Sequence, residues 1–259
     1  MQQDHKAILC FDFDGTFVDR QPDEAAMGDL MEMLRDLRER GAAWVINTGR
    51  SLYQTLEGLT QHGIRQIPDF IIAREGEIYH RSQYNRWVDV GEWNAQRMKD
   101  HKKLYKSKEK FLRDVQRWLA DRTAAKWISE PTEPAGIQSS TEAEMEDICE
   151  WLDAQLHQHP ELCYQRNSIY LRFTHYAYSK GTALAELSAL LHIMPEHMFV
   201  AGDNHNDLSM LSANIAHHLA CPSNAIPVVQ AAVQEHEGFV ANYPATLGCV
   251  EALSYFFYE

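Results

Sequence analysis

Apolar positions along the chain fall into two rhythms. Short, mainly apolar runs, AILCF (7–11), AAWVIN (42–47), DFIIA (69–73) and MFVAG (198–202), predict strands buried on both faces. Between them, apolar residues recur every three or four positions. Met27, Leu30, Met31, Leu34 and Leu37 predict a helix, opened by Pro22 and two acids and closed by Gly41. RSLYQTLEGLTQHG (50–63) predicts a second helix. Strand–helix alternation of this kind is the signature of a parallel sheet.

The rhythm changes near residue 82. Residues 92–122 read as one long, charged helix, and TAAKWISEP (123–131) and AGIQSS (135–140) as strands. In TEAEMEDICEWLDAQLHQH (141–159), Met145, Ile148, Cys149, Leu152 and Leu156 share one helical face. ELCYQRNSIYLRFTH (161–175) predicts a hairpin turning near Asn167-Ser168. Alternation resumes with a helix at 179–194, for which Ser179 is the expected N-cap. After MFVAG come a short helix (206–214), a strand (216–220), a helix (224–236), a strand (238–242) and a last helix (247–258). The expected fold class is α/β: a Rossmann-like parallel sheet core with an inserted α+β cap domain. The expected boundaries are 1–82 and 178–259 for the core and 83–177 for the insert.

Composition narrows the function. The 259 residues are 45% hydrophobic, ordinary for a folded protein, and their formal net charge of −13 argues against a nucleic-acid or anionic-membrane binder. Small anionic substrates need only a local positive site and stay open. Five scattered cysteines without a CxxC fit a reduced, cytoplasmic setting. No apolar run reads as a signal peptide or a membrane span. A monomer or homodimer is expected.

In open parallel sheets, ligands bind beyond the carboxyl ends of the strands. Asp12-Phe13-Asp14-Gly15-Thr16 follows the first strand, Thr48-Gly49-Arg50 the second, and Asp203-Asn204-His205-Asn206-Asp207 the strand MFVAG. Lys180 opens a helix in the same half of the fold. Four acids, a hydroxyl and a lysine can therefore converge at one edge. Acids in this number suit a hard cation with oxygen ligands, Mg²⁺ by default. An ionised aspartate is also a competent nucleophile toward phosphorus, and a second acid can protonate a poor leaving group. On this reading Asp12 attacks and Asp14 moves the proton. Taken singly, DFDGT is as readily an Asp-Gly turn, NTGR a loop, GDNHND an acidic turn and Lys180 a solvated lysine. Their joint occurrence at strand ends and a helix start favours a site.

These segments resemble the haloacid dehalogenase superfamily of phosphohydrolases. Its four motifs are matched in order by Asp12–Thr16 (DxDGT), Thr48, Lys180 and Gly202–Asp207 (GDxxND). The resemblance implies that Asp12 is the nucleophile and Asp14 the acid/base. It implies that Asp12, Asp14 through its main-chain carbonyl, Asp203 and Asp207 serve an Mg²⁺ cofactor. Thr48, Gly49, Lys180 and Asn206 would hold the phosphoryl oxygens. An insert between the second and third motifs is similar to the cap of sugar-phosphate phosphatases. SKGTALAEL and SNAIPVVQAA are similar to that subgroup too. The chain departs from it after the third strand, where Glu75-Gly76 stands in place of a frequent Asn-Gly. The implied function is an Mg²⁺-dependent phosphatase for a small phosphorylated metabolite, a sugar phosphate. A phosphosugar mutase and a non-catalytic binding protein are the alternatives. A response-regulator receiver also gathers acids, Thr and Lys, but it is about half this length and lacks an insert.

Other features take plainer readings. Five of six tryptophans lie in or near the insert, where a small domain uses them as core. The basic stretch 97–113 reads as a solvated helix face. His157 and His159, two apart at a helix end, point away from each other, and His217-His218 is read as structural. Tyr170, Arg172 and Thr174 share one face of the hairpin, which makes Arg172, with Arg50, a candidate for substrate specificity.

Overall fold

In the computed structural model, which describes residues 5–19, 21–129 and 135–258, the chain divides into two compact units. One is built from the chain on either side of Ala95–Ser179, and the other is Ala95–Ser179 itself.

The first unit is organised by an eight-stranded sheet. Its strands are β1 (Ala7–Phe11), β2 (Ala42–Asn47), β3 (Phe70–Ala73), β4 (Glu77–Arg81) and β5 (Trp87–Asp89), then β10 (Met198–Ala201), β11 (His218–Cys221) and β12 (Phe239–Val240). The order across the sheet is β12-β11-β10-β1-β2-β3-β4-β5. From β12 to β3 every pair is parallel, and β3-β4-β5 are antiparallel. The central strands alternate between two apolar layers, as a period of two requires. Ile8, Cys10, Val45, Ile72 and Val200 pack with Leu184 and Leu187 of α5 (Lys180–Leu191) and Val229 and Val233 of α6 (Pro227–Glu235). Leu9, Phe11, Trp44, Ile46 and Phe199 pack with Leu30 and Leu34 of α1 (Glu24–Glu39) and Leu253 of α7 (Ala245–Phe257). Burial on both faces explains why these strands read as mainly apolar runs.

Local chemistry starts the helices where the turns end. The Asp23 carboxylate accepts the backbone N–H groups of Ala25 and Ala26 at the head of α1, both at 3.0 Å. Ser51 and Gln54 form a reciprocal capping box on α2 (Leu52–Gln61), which launches it directly from the Thr48–Arg50 loop.

The second unit holds a four-stranded antiparallel sheet, ordered β6 (Lys126–Ile128), β7 (Gly136–Gln138), β9 (Tyr170–His175) and β8 (Leu162–Asn167). Leu104, Val115 and Leu119 of α3 (Trp93–Arg122) join Met145, Ile148 and Leu152 of α4 (Glu142–Leu156) and Ile137, Leu171 and Phe173 of the sheet in one core. Trp118 and Trp151 stack at 4.0 Å beside it, so these rings serve packing. The His159 ring lies on Phe111, and in the first unit His218 lies on Phe256.

Three details differ from the sequence expectation. Residues 77–89 add β4 and β5 to the large sheet, so the second compact unit starts at Ala95 rather than at 83. The helix expected over 206–214 is a single 3₁₀ turn, His205–Asp207. There the Asp207 carboxylate takes the N–H groups of Asp203 and Asn204, a local bond that competes with helical pairing. The strand expected at 123–131 is only Lys126–Ile128, and its last two positions, 130 and 131, lie outside the described residues.

Candidate active site

Three parallel strands end side by side, and each passes into a loop that carries polar residues. Past β1, Asp12 continues the strand direction by donating its N–H to Ala201 O at 2.9 Å. Its carboxylate is buried and meets the ammonium of Lys180, the first residue of α5. The same ammonium donates to Asp207 Oδ1 at 2.6 Å. Asp207 Oδ2 accepts from two backbone N–H groups, so both of its oxygens are engaged. Asp203 Oδ1 accepts the Thr16 hydroxyl at 2.7 Å.

Asp12, Asp203 and Asp207 are all buried, and each offers an oxygen within 4.8 Å of the others. Three carboxylates against one ammonium leave two formal negative charges in a largely buried region. The charges show in the acidities. Burial pushes the Asp12 carboxyl well above its ordinary value, and Asp207 and Asp203 add to the rise against the pull of Lys180. Burial and Asp207 together raise Asp203 to about 6. Burial works against the charge on Lys180, but Asp12 and Asp207 outweigh it and hold the ammonium protonated. A divalent cation fits this group: it balances the charge, and the donors are all hard carboxylate oxygens. Asp12 and Asp203 are better placed as ligands than Asp207, whose oxygens already serve Lys180 and the loop.

Gly15 is required where the loop turns back. Its φ is +83°, and a Cβ there would stand 2.8 Å from Asp203 Oδ2. The adjacent carbonyl of Gly15 accepts from Asn224 Nδ2 at 2.8 Å, and Asn224 Oδ1 accepts the N–H of Ala245 at the start of α7.

Asp14 stands apart from the cluster. Its carboxylate is half exposed and forms a double hydrogen bond with the Arg50 guanidinium. Thr48 is buried at the end of β2. Its N–H donates to Ile72 O at 2.8 Å, and its Oγ1 accepts the N–H of Arg50 at 3.2 Å. Asn206 Nδ2 donates to Glu75 Oε1 at 2.8 Å. Gly49 faces the same carboxylate, since a Cβ there would lie 3.2 Å from Glu75 Oε1. Arg172 belongs to the second unit, on β9, on the sheet face opposite Leu171 and Phe173.

The structure thus brings together Asp12, Asp203, Asp207 and Lys180, with Thr48, Gly49 and Asn206 on the loops around them. Sequence reading passed over Thr16, Asn224 and Asn47 as supports. Asn47 Nδ2 donates to Lys180 O at 3.0 Å and so anchors the head of α5. Thr16 and Asn224 lie inside stretches already singled out, DFDGT and SNAIPVVQAA, while Asn47 ends an apolar run and gives no separate signal.

The pattern of sucrose-6F-phosphate phosphohydrolases matches residues 5–106. No curated protein matches the chain. Among solved structures, a sucrose-phosphatase from Synechocystis, in complex with sucrose and phosphate, superposes with a TM-score of 0.75 at 20% identity, over 97% of this chain and 98% of that one. A haloacid dehalogenase-like hydrolase protein from Bacillus subtilis gives 0.67 at 17% identity, over 98% and 93% of the two chains. One from Bacteroides thetaiotaomicron gives 0.64 at 15%, over 97% and 100%. At these identities the likeness concerns the fold. The pattern of haloacid dehalogenase-like hydrolases itself matches residues 69–238, well over half the chain, and with that match the chain belongs to this family, as one of its phosphohydrolases.

Proposed function

We propose that the protein is an Mg²⁺-dependent phosphatase that hydrolyses a small phosphorylated metabolite, a sugar phosphate, through an aspartyl-phosphate on Asp12. The observation that carries this reading is the meeting of Asp12, Asp203 and Asp207 around Lys180. The match to sucrose-6F-phosphate phosphohydrolases over residues 5–106 supports a sugar phosphate as substrate.

Asp12 is the nucleophile. An oxygen of its carboxylate attacks phosphorus, and the P–O bond to the sugar breaks. Lys180 keeps Asp12 oriented and offsets charge on the phosphoryl oxygens, with Thr48 and the loop amides as further donors. Asp14 gives its proton to the departing sugar oxygen and then takes one from the water that cleaves the aspartyl-phosphate. Asp12, Asp203 and the Asp14 main-chain carbonyl, with Asp207 behind them, would hold Mg²⁺. When bound, the ion supplies charge neutralisation and fixes the phosphoryl group for in-line attack. Arg50 and Arg172 are the proposed specificity residues. A cytoplasmic location accords with five cysteines, four of them buried, at scattered positions. No helix among the described residues is long and apolar enough to cross a membrane.

The test is phosphate release from a panel of sugar phosphates, phosphoglycerate conjugates and nucleotides, with and without Mg²⁺, beside Asp12→Asn. Mg²⁺-dependent release from a sugar phosphate, lost in the variant, is expected. Isomer formation without free phosphate would instead identify a mutase.

A further inference from the structure

Glu75 is a carboxylate that the reaction above does not use, yet the chain goes to some length to place it. Arg74 and Glu75 are consecutive non-glycine residues with positive φ, 45° and 59°. Side chains disfavour that conformation, and such strain persists only where the surroundings enforce it. Here the enforcement is visible. The turn joins β3 to β4, and its backbone is pinned to the β2 loop: Arg74 N–H donates to Arg50 O at 2.8 Å and Glu75 N–H to Thr48 O at 2.9 Å.

The result is a nearly buried carboxylate, 9% exposed, against Gly49 and Asn206. A carboxylate only accepts hydrogen bonds, so its contact settles which way the Asn206 amide faces: Nδ2 toward Glu75, Oδ1 away. Asn206 is 2% exposed, and its Oδ1 is buried with no hydrogen-bond partner among the described residues. A buried acceptor left open calls for a donor that arrives with a ligand, such as a phosphate P–OH or a sugar hydroxyl. The Glu75 charge also reaches Lys180 electrostatically and so offsets part of the positive field there.

We propose that Glu75 is a positioning residue that sets how tightly the site holds phosphate. It fixes the Asn206 amide and opposes the positive field of Lys180, so the dianionic product is released instead of retained. This rests on the phosphohydrolase reading and names its product-release control.

The experiment measures the affinity of inorganic phosphate by calorimetry, and its Ki as a product inhibitor, with Mg²⁺ present. Glu75→Gln keeps the shape and removes the charge. Glu75→Asn is a second neutral variant that tolerates the left-handed backbone if Gln does not fold. Removing one like charge from the neighbourhood of a dianion is expected to tighten phosphate binding on the order of tenfold in both. Glu75→Asp, which keeps the charge, is expected to stay near wild type. Gln and Asn variants that fold and bind phosphate no tighter than wild type, or no phosphate binding by any form, would overturn the proposal. A protein that shows the Glu75 effect by calorimetry but hydrolyses no monoester would overturn the phosphatase reading alone.

Discussion

Arg50 grips the carboxylate of Asp14 through two hydrogen bonds, Nε to Oδ2 at 2.7 Å and Nη2 to Oδ1 at 2.6 Å. Asp12, two positions earlier, meets Lys180 instead. Two acids two positions apart that would otherwise repel each other are thus held by separate cations, one buried and one partly exposed. The Arg50 guanidinium also lies over the Phe13 ring at 5.0 Å, so the residue between the two acids helps to hold the second.

That pair has a functional consequence and a small structural one. Both side chains are partly exposed, and such pairs stabilise by about 0.2–1 kcal/mol. Arg50→Ala is expected to leave the melting temperature within a few degrees of wild type. If Asp14 is the acid/base, Asp14→Asn lowers turnover by roughly 10²–10⁴ with as little effect on melting. Steady-state kinetics beside thermal melts checks both. Asp14→Asn with full activity would remove Asp14 from the reaction.

The charge imbalance at the buried acids predicts a stabilising metal. Adding Mg²⁺ should raise the melting temperature, because an ion bound only to the folded state stabilises by mass action. Asp203→Asn should weaken that shift, and Asp12→Asn should abolish turnover while the fold is kept. Removing Lys180 is expected to be costlier than removing either acid, on the order of 3–5 kcal/mol, since it leaves buried carboxylates without their cation. Differential scanning calorimetry with and without Mg²⁺ reads all four proteins.

Gly15 tests the geometry of the loop. A methyl group at this position would strain the left-handed backbone and press on Asp203 Oδ2. Gly15→Ala is expected to destabilise by about 1–2 kcal/mol and to reduce the Mg²⁺-induced shift in melting temperature. A variant with an unchanged Mg²⁺ response would show that Asp203 is not held by this contact.

His101 predicts how the second unit answers to acid. Its Nδ1 faces the carbonyl of Arg97 at 2.9 Å and must donate to it. Nε2 then accepts the Thr174 hydroxyl at 2.8 Å and the His175 N–H at 3.4 Å. Burial, then the nearby Arg97 charge, opposes protonation and lowers the pKa to about 4; a proton on Nε2 would also face the His175 N–H donor to donor. Above pH 6.5 the folded and unfolded states are both neutral at this ring, so stability is fully present. As pH falls from 6.5 to 4, the unfolded chain binds a proton that the fold refuses, and up to roughly 3 kcal/mol is lost. Near-UV circular dichroism of the Trp118–Trp151 stack should report that loss, and His101→Gln should flatten it across the same window.

The strand ends show how much of the site could be read from the chain alone. AILCF, AAWVI and MFVAG are apolar throughout because both faces are covered, and that pattern survives without any knowledge of partners. Polar residues placed just past such runs must emerge at one sheet edge, which put Asp12, Thr48 and Asp203 in one neighbourhood in advance. What the chain could not disclose is pairing. Which cation holds Asp12 and which holds Asp14 depends on residues 168 and 36 positions away. The 3₁₀ turn at His205–Asp207 depends on where one carboxylate spends its oxygens. β4 and β5 carry little apolar signal, because they are short strands recruited by pairing, β4 with β3 and β5 with β4. Local sequence therefore determined the elements and the edge where polar groups collect. Only the tertiary structure decided which charges meet, since Coulomb and hydrogen-bond partners are selected by distance in space and not along the chain.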